Sequence, residues 1–147
     1  MKNTEIIAAD AETWRPPVRS LVDGVLVDAP CSALGTLRRH PEGAWIKRPD
    51  DIASYPKVQT RLLQAAMKLV KPGGQVVYCV CSPFPAEGSD IVEAVLENDR
   101  FERVPIAEGE VPGFDACRTS SGDLLTLPGK NRPAHDAFFI ARLTKTA

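Results

Sequence analysis

The sequence predicts an α/β domain with a largely parallel sheet, because strand-like and helix-like segments alternate along the chain. Two segments, residues 22–28 with the continuously apolar core Val25–Val27 and residues 75–81, which are apolar after Gln75, are typical of strands that are buried on both faces. Between them, apolar residues recur at helical spacing over residues 57–70. The chain has 147 residues, of which 44% are hydrophobic and 25% charged, as expected for one globular domain.

The elements before and between these strands are predicted from local breaks. Residues 5–9 form a weak apolar segment that could be a strand. The first strong strand must end at Pro30, since proline cannot donate to a ladder. An irregular, basic stretch over residues 32–51 precedes the helix. The helix is predicted to end at Lys71-Pro72-Gly73-Gly74, which has a basic residue, a proline and glycines.

The elements that follow the second strand are shorter. A helix is predicted to begin near Pro85, which suits a first helical turn, and Glu87 suits its positive end. Further strands are predicted over residues 101–104, around residues 124–127 and over residues 137–143. The alternation of elements continues to the end of the chain, which supports one α/β domain over residues 1–147.

The two strong strands each end in a loop that contains proline and cysteine. Ligands of open α/β sheets bind beyond the carboxyl ends of the strands, so Asp28, Cys31 and Cys81 are expected to share one crevice. The predicted helix amino terminus after Cys81 would favour a thiolate, which is a soft nucleophile for an electron-poor ring carbon. Cys31 could take or return a proton, and Asp28 could hydrogen-bond a heterocycle or a cofactor.

A metal site is the competing interpretation of the cysteines. Cys79 and Cys81 could act with Cys31 or Cys117, or with His40 or His135. However, the sequence holds no C-x₂-C pair, and Cys79 and Cys81 lie in one predicted strand, so no metal is expected. We interpret Cys79 and Cys117 as small buried residues and assign no role to the histidines.

Charge and hydropathy restrict the partners and the compartment. The net charge is −1, so a nucleic-acid surface must come from a local cluster. That cluster would be Arg38, Arg39, Lys47 and Arg48, although an ordinary solvated basic loop has the same composition. No apolar run reaches the roughly 18 residues that span a bilayer. The first ten residues do not have the pattern of a secretory signal, so we expect reduced thiols and a cytoplasmic protein.

Several motifs, in order along the chain, resemble the RsmB/Nop/Sun family of RNA cytosine-5 methyltransferases, most closely its bacterial ribosomal-RNA members. The longest is Asp28-Ala29-Pro30-Cys31-Ser32-Ala33-Leu34-Gly35-Thr36, followed by Arg38-Arg39-His40-Pro41-Glu42. The others are Asp10-Ala11-x-x-Trp14, Gln59-x-x-Leu62-Leu63-x-Ala65-Ala66, Lys71-Pro72-Gly73-Gly74, Val77-Tyr78-x-Val80-Cys81-Ser82, Pro85-x-Glu87 and Asp136-Ala137-Phe138-Phe139.

The resemblance implies a Rossmann-like fold, S-adenosylmethionine as the cofactor, and RNA, most simply ribosomal RNA, as the substrate. Cys81 matches the family's nucleophile, which adds to C6 of a flipped cytosine. Cys31 matches the second cysteine, which is linked to resolving the adduct. Asp28 matches an acidic residue at the cofactor and base, and Asp10 matches the residue that contacts the adenosine part of the cofactor.

The sequence departs from the family pattern in ways that affect these expectations. Val80 stands where threonine is usual, and Ala137 where glycine is usual, which questions a close approach there. The 147 residues contain neither the Gly-rich cofactor loop nor the amino-terminal RNA-binding domain. We therefore expect an incomplete catalytic domain, its carboxyl-terminal half without the first strands, that binds cofactor weakly. Its exposed sheet edge could pair two copies into a homodimer.

The resemblance leaves two rival functions. DNA cytosine-5 methyltransferases place their nucleophile in a Pro-Cys pair, which would make Cys31 the reactive thiol, but Ser32 stands where they usually have glutamine. Alternatively, the chain is a non-catalytic remnant that binds RNA or a partner protein. Trp45 or Tyr55 could stack on an RNA base, but packing within the protein is the simpler interpretation of both side chains.

Overall fold

A computed structural model describes residues 3–16, 20–97, 100–129 and 135–146. Three short 3₁₀ turns cover Leu34–Thr36, Pro85–Glu87 and Asp115–Cys117. The strands and helices are, in chain order, β1 (Val22–Asp28), α1 (Gly43–Ile46), α2 (Pro49–Leu69), β2 (Val70–Val80), α3 (Ser89–Leu96), β3 (Phe101–Arg103), β4 (Leu124–Thr126) and β5 (Phe138–Lys145).

The five strands form one sheet in the order β1-β2-β5-β3, with β4 also paired to β5. The β1–β2 ladder is parallel, whereas β5 runs antiparallel to β2, β3 and β4. The α/β class is therefore confirmed. Four of the described strands, β1 to β4, run in the same direction, as a largely parallel sheet requires. Only one pair of neighbours among the described strands is parallel, however, because the antiparallel strand β5 lies between β2 and β3. Residue patterns show that a segment is a strand but not which way it runs.

The core lies between the sheet and the two longer helices. It combines alternate residues of β2 and β5 with the apolar faces of α2 and α3, as period-2 and period-3.6 patterns require. Its fully or almost fully buried members include Leu63, Val70, Val76, Tyr78, Val80, Val92, Ala141 and Leu143. The second predicted strand therefore has the central, buried place that its apolar run indicated.

Helix α2 begins eight residues before the predicted start. Pro49 occupies its first turn, with Asp50 and Asp51 at the positive end of the helix. The Asp51 carboxylate also accepts a hydrogen bond of 3.3 Å from the Arg48 N–H. These local features stabilise a helix start that the apolar pattern alone did not indicate, and Pro56 is accommodated inside the helix.

Three further expectations were wrong. Residues 5–9 form no strand. Strand β1 is not buried on both faces, because Val25 and Val27 pack against the core whereas Leu26, on the opposite face, is 70% exposed. Helix α3 starts at Ser89 rather than near Pro85, since a 3₁₀ turn precedes it.

Across the described ranges, no helix combines the length and apolarity needed to cross a bilayer.

Candidate active site

The loops that follow β1 and β2 meet because the two strands are parallel and in register. Asp28 lies opposite Cys79, and the Ala29 N–H continues the ladder with a 3.1 Å hydrogen bond to the Cys79 carbonyl. The Sγ atoms of Cys31 and Cys81, which lie just beyond this point, are 3.3 Å apart. The structure thus brings together the two thiols that the sequence predicted would share a crevice.

The two thiols have different surroundings. Cys31 is only 8% exposed, and burial, followed by its contact with Cys81, raises the pKa of the Cys31 thiol to about 12. Cys31 therefore keeps its proton at neutral pH. Cys81 is only half-buried, so it is the more accessible of the two sulfurs.

Asp28 does not contact either of these thiols. Its carboxylate instead lies near Cys79, whose Sγ donates over 3.7 Å to Asp28 Oδ1. Burial, and then the Asp28 charge, raise the pKa of the Cys79 thiol to about 11. Cys79 is thus half-buried beside a carboxylate rather than inside the core, whereas Cys117 is buried with Ile106 and Leu124 as predicted.

Asp28 lines an open groove of about 610 Å³ between β1, α2 and the amino-terminal segment. Ala9 and Ala11 line the same groove on either side of Asp10. Asp10 itself accepts a hydrogen bond of 2.9 Å from the Glu12 N–H. Both Asp10 and Asp28 are exposed, and the rest of the lining is mainly apolar, so the groove suits a ligand with an apolar ring and hydrogen-bond donors.

A buried carboxylate beneath the thiols was not predicted as part of the site. Glu87 is 1% exposed and accepts hydrogen bonds from the Ser32 N–H (2.7 Å), the Ser32 hydroxyl (2.6 Å) and the Ser82 hydroxyl (2.5 Å). Gln59 donates a fourth, longer bond of 3.3 Å. The Pro85-x-Glu87 motif was visible in the sequence, but nothing local distinguishes a buried glutamate from one at an exposed helix start.

Gly35 joins the Cys81 loop to the start of β5. Its N–H donates to the Cys81 carbonyl over 3.0 Å, and its own carbonyl accepts from the Ala137 N–H over 2.9 Å. A Cβ atom at Gly35 would lie 2.3 Å from the Ala137 oxygen. The close approach at Ala137 is therefore retained despite the alanine, because the facing residue is glycine.

The basic cluster is partly engaged within the protein. Arg39 Nε donates to Asp136 Oδ2 over 2.7 Å, and Arg38 lies 3.6 Å from the other oxygen of Asp136. Arg39 lowers the pKa of the Asp136 carboxyl, and Asp136 raises that of the arginine. Lys47 Nζ lies 5.6 Å from the centre of the Tyr55 ring.

Trp45 is not packed as expected. It is 90% exposed on α1, next to Ile46, which is 66% exposed. Arg48 precedes the first residue of α2, so an aromatic ring and basic side chains lie close together in the sequence on one surface segment. Within the ranges that the structure covers, no group of three potential metal ligands is found.

Comparison with known proteins adds independent information. The sequence model of the 16S rRNA methyltransferase RsmB/F family matches residues 1–144. Ribosomal RNA small subunit methyltransferase B of Vibrio cholerae is 39% identical over 123 residues, which cover 84% of this chain and 26% of that protein. A probable ribosomal RNA small subunit methyltransferase B of Synechocystis is 40% identical over 131 residues, covering 89% of this chain and 29% of that protein.

A solved structure is similar in fold. The crystal structure of NSun6 from Pyrococcus horikoshii with SFG, an S-adenosylmethionine analogue, has a TM-score of 0.75 and 27% identity, and the match covers 99% of this chain and 35% of that one. The mixed sheet described above is thus that of a partial Rossmann-like methyltransferase fold. The chain spans between about a quarter and a third of the length of the proteins that it matches here.

Proposed function

Since the chain belongs to the RsmB/F family of 16S rRNA methyltransferases, we propose that its two adjacent thiols serve the methylation of carbon 5 of cytosine in ribosomal RNA. The observation that carries the proposal is the 3.3 Å contact between Cys31 and Cys81 at the carboxyl ends of neighbouring parallel strands. One thiol is half-buried and accessible, and the other is buried and retains its proton.

The proposed reaction begins with Cys81. Its thiolate forms a bond to C6 of the cytosine, and the electrons of the C5–C6 double bond make C5 nucleophilic. After C5 has gained a methyl group, its hydrogen leaves as a proton. The electron pair of that C–H bond restores the double bond and expels the Cys81 thiolate. The target base must leave its stack to reach two side chains at the ends of strands.

Cys31 is suited to take that proton only after Cys81 has reacted. Burial is the main cause of the raised pKa of the Cys31 thiol, and its hydrogen bond and charge interaction with Cys81 add to it. When Cys81 becomes a thioether, its charge is lost, so Cys31 ionises more easily than before, while burial still raises its pKa. Cys31 would therefore act late in the cycle, in the step that releases the product.

S-adenosylmethionine, when bound, would supply the methyl group as an electrophile. In this chain Asp28 and Asp10 would hold it, because Asp28 lines the mainly apolar groove beside β1 and Asp10 lies between two residues that line it, Ala9 and Ala11. Carboxylates can accept hydrogen bonds from amino and hydroxyl groups of such a ligand. The presence of SFG in the NSun6 structure supports S-adenosylmethionine as the cofactor.

The RNA surface is proposed to include Arg38, Arg39, Lys47 and Arg48. The two arginines keep donors available beyond their contacts with Asp136, since their side chains are 45% and 52% exposed. The exposed ring of Trp45 is available for stacking on a base. Phosphate contacts would make binding depend on salt concentration.

A trapping experiment tests the function. Protein is incubated with an RNA that contains 5-fluorocytosine, which lacks the proton needed for release, and with S-adenosylmethionine in large excess, because weak binding of this cofactor is expected. The covalent product is mapped by mass spectrometry. We expect the adduct on Cys81, none in Cys81→Ala, and an unchanged yield in the matched control Cys117→Ala. An adduct on Cys31, or none with the unmodified protein, would contradict the proposal.

The DNA methyltransferase alternative requires Cys31 as the nucleophile. Its 8% exposure and raised pKa argue against that role. The non-catalytic alternative for this chain rests on the lack of a Gly-rich loop within the 147 residues. It predicts RNA binding without any covalent adduct, so the same experiment distinguishes it.

The edge of β1 also carries our proposal of a homodimer. Among the described strands, β1 pairs with β2 alone, and Leu26 on it is largely exposed. An unpaired edge offers free backbone donors and acceptors to a second copy. Light scattering should show dimers that dissociate on dilution, whereas a monomer at every concentration would contradict the proposal.

A further inference from the structure

We infer that Glu87 is a positioning residue that holds the Cys31 loop and the Cys81 loop at reactive distance from each other. The inference rests on the proposed function only in naming Cys81 as the nucleophile. Its structural basis is one buried carboxylate that is shared by both loops.

The donors to Glu87 are the immediate neighbours of the two cysteines. Ser32 follows Cys31 and gives Glu87 two hydrogen bonds, one from its backbone and one from its hydroxyl. Ser82 follows Cys81 and gives a third. A displacement of Glu87 would therefore move Ser32 and Ser82, and with them the cysteine that precedes each serine.

Helix α2 completes the arrangement through Gln59, which is fully buried. Its Nε2 donates to Glu87 over 3.3 Å and to the carbonyl of Pro30, the residue before Cys31, over 3.0 Å. The Tyr78 hydroxyl donates to the Glu87 carbonyl over 2.6 Å and so fixes its backbone. The Cys31 loop is thus held on both sides, by Gln59 before the thiol and by Glu87 after it.

The serine hydroxyls are oriented toward Glu87 by the backbone. The Phe84 N–H lies 3.3 Å from the Ser82 hydroxyl and the Leu34 N–H lies 3.5 Å from that of Ser32. Because each hydroxyl accepts there, its single proton is directed to the carboxylate. Both hydroxyl bonds, at 2.5 and 2.6 Å, have the short lengths of hydrogen bonds to a carboxylate.

All four donors to Glu87 are neutral, and among the described residues no cation forms an ion pair with it. A buried carboxylate is costly unless hydrogen bonds satisfy it. Leaving either serine unbonded would incur that cost, so the folded state favours the arrangement in which both loops reach Glu87. The distance between the two thiols therefore depends on the hydrogen bonds that the Glu87 carboxylate accepts.

Thiol alkylation tests the inference without RNA or cofactor. The chain is treated with iodoacetamide at pH 8, and the rates at Cys31, Cys81 and Cys117 are measured by peptide mass spectrometry. In the chain without substitutions we expect Cys81 to react at least about tenfold faster than Cys31, since the reactivity of a thiol follows its thiolate character and its exposure. In Glu87→Gln that ratio should fall at least about threefold, because the loops separate and the contact between the thiols is lost.

Two controls separate positioning from general loosening. Glu97→Gln alters an exposed residue that follows α3 and should leave the ratio unchanged. Cys117, buried in a separate cluster, reports unfolding. An unchanged ratio in Glu87→Gln, with Cys117 still protected, would overturn the inference. A rise at Cys117 in step with Cys31 and Cys81 would mark general unfolding, and Ser82→Ala then decides the matter.

A milder variant serves if Glu87→Gln does not fold. Ser82→Ala removes one of the four donors and keeps the carboxylate, so it should lower the same ratio by about twofold or more. An unchanged ratio in Ser82→Ala would overturn the inference in that case. Because the assay does not involve methylation, its result is independent of the trapping experiment on 5-fluorocytosine RNA.

Discussion

Replacing Gly35 by alanine would place a methyl group where the structure has no space. The new Cβ would lie 2.3 Å from the carbonyl oxygen of Ala137 and 2.7 Å from that of Cys81. Both neighbours are backbone atoms, so no side-chain rotation can relieve the contact. The backbone around Gly35 would have to move, and with it the two hydrogen bonds that join Cys81 to Ala137.

The cost can be worked from these contacts. Inserting a methyl group into a close-packed site costs about 1–3 kcal/mol. Each of the two hydrogen bonds contributes about 1 kcal/mol if it is lost. The free energy of unfolding should therefore fall by about 3–5 kcal/mol, which lowers Tm by roughly 10–15 °C for a chain of this size.

Chemical and thermal unfolding followed by circular dichroism would measure the change. The matched control is Gly129→Ala, because nothing lies within 4 Å of a Cβ built there. It should change stability by no more than about 0.5 kcal/mol. If Gly35→Ala were as stable as this control, the close approach between the Cys81 loop and β5 would not exist as described.

Three further predictions concern charge and ligand binding. Burial raises the pKa of Cys31 from 9.0 to about 12, so its alkylation rate should rise with pH up to about 12. The protonated thiol stabilises the fold fully below pH 9.0, and this stability should be lost as the pH rises to about 12. A plateau of the alkylation rate near pH 9.0 would contradict this. Because Arg39 lowers the pKa of Asp136, their ion pair should stabilise the fold above the usual carboxyl pKa and stabilise it less as the pH falls. In urea titrations, Asp136→Asn should therefore destabilise the chain at pH 7 and progressively less toward pH 3. An effect that does not depend on pH would refute the pairing. Calorimetric titration of the 147-residue chain with S-adenosylmethionine should show weak binding or none, since its sequence lacks a Gly-rich loop, and micromolar affinity would disprove that expectation.

Sequence reasoning succeeded where one local property decides the outcome. The apolar run Val25–Val27 and the apolar run within residues 75–81 are typical of buried strands, and parallel neighbouring strands bring the residues after them to one edge of the sheet. That argument was sufficient to place Cys31 beside Cys81. It failed at β1, because an apolar residue such as Leu26 has the same appearance in sequence whether or not other residues pack over its face of the sheet.

The sequence by itself determined the class of fold, the two thiols and, through its motifs, the family. Only the tertiary structure decided which groups support those thiols. Glu87, Ser32 and Ser82 are separated along the chain by up to 55 residues, and each looks like an ordinary polar loop residue until the strands bring them together. Burial and hydrogen-bond partners depend on contacts between distant segments, whereas strand and helix patterns depend on neighbours in sequence, so only the latter can be predicted from the sequence.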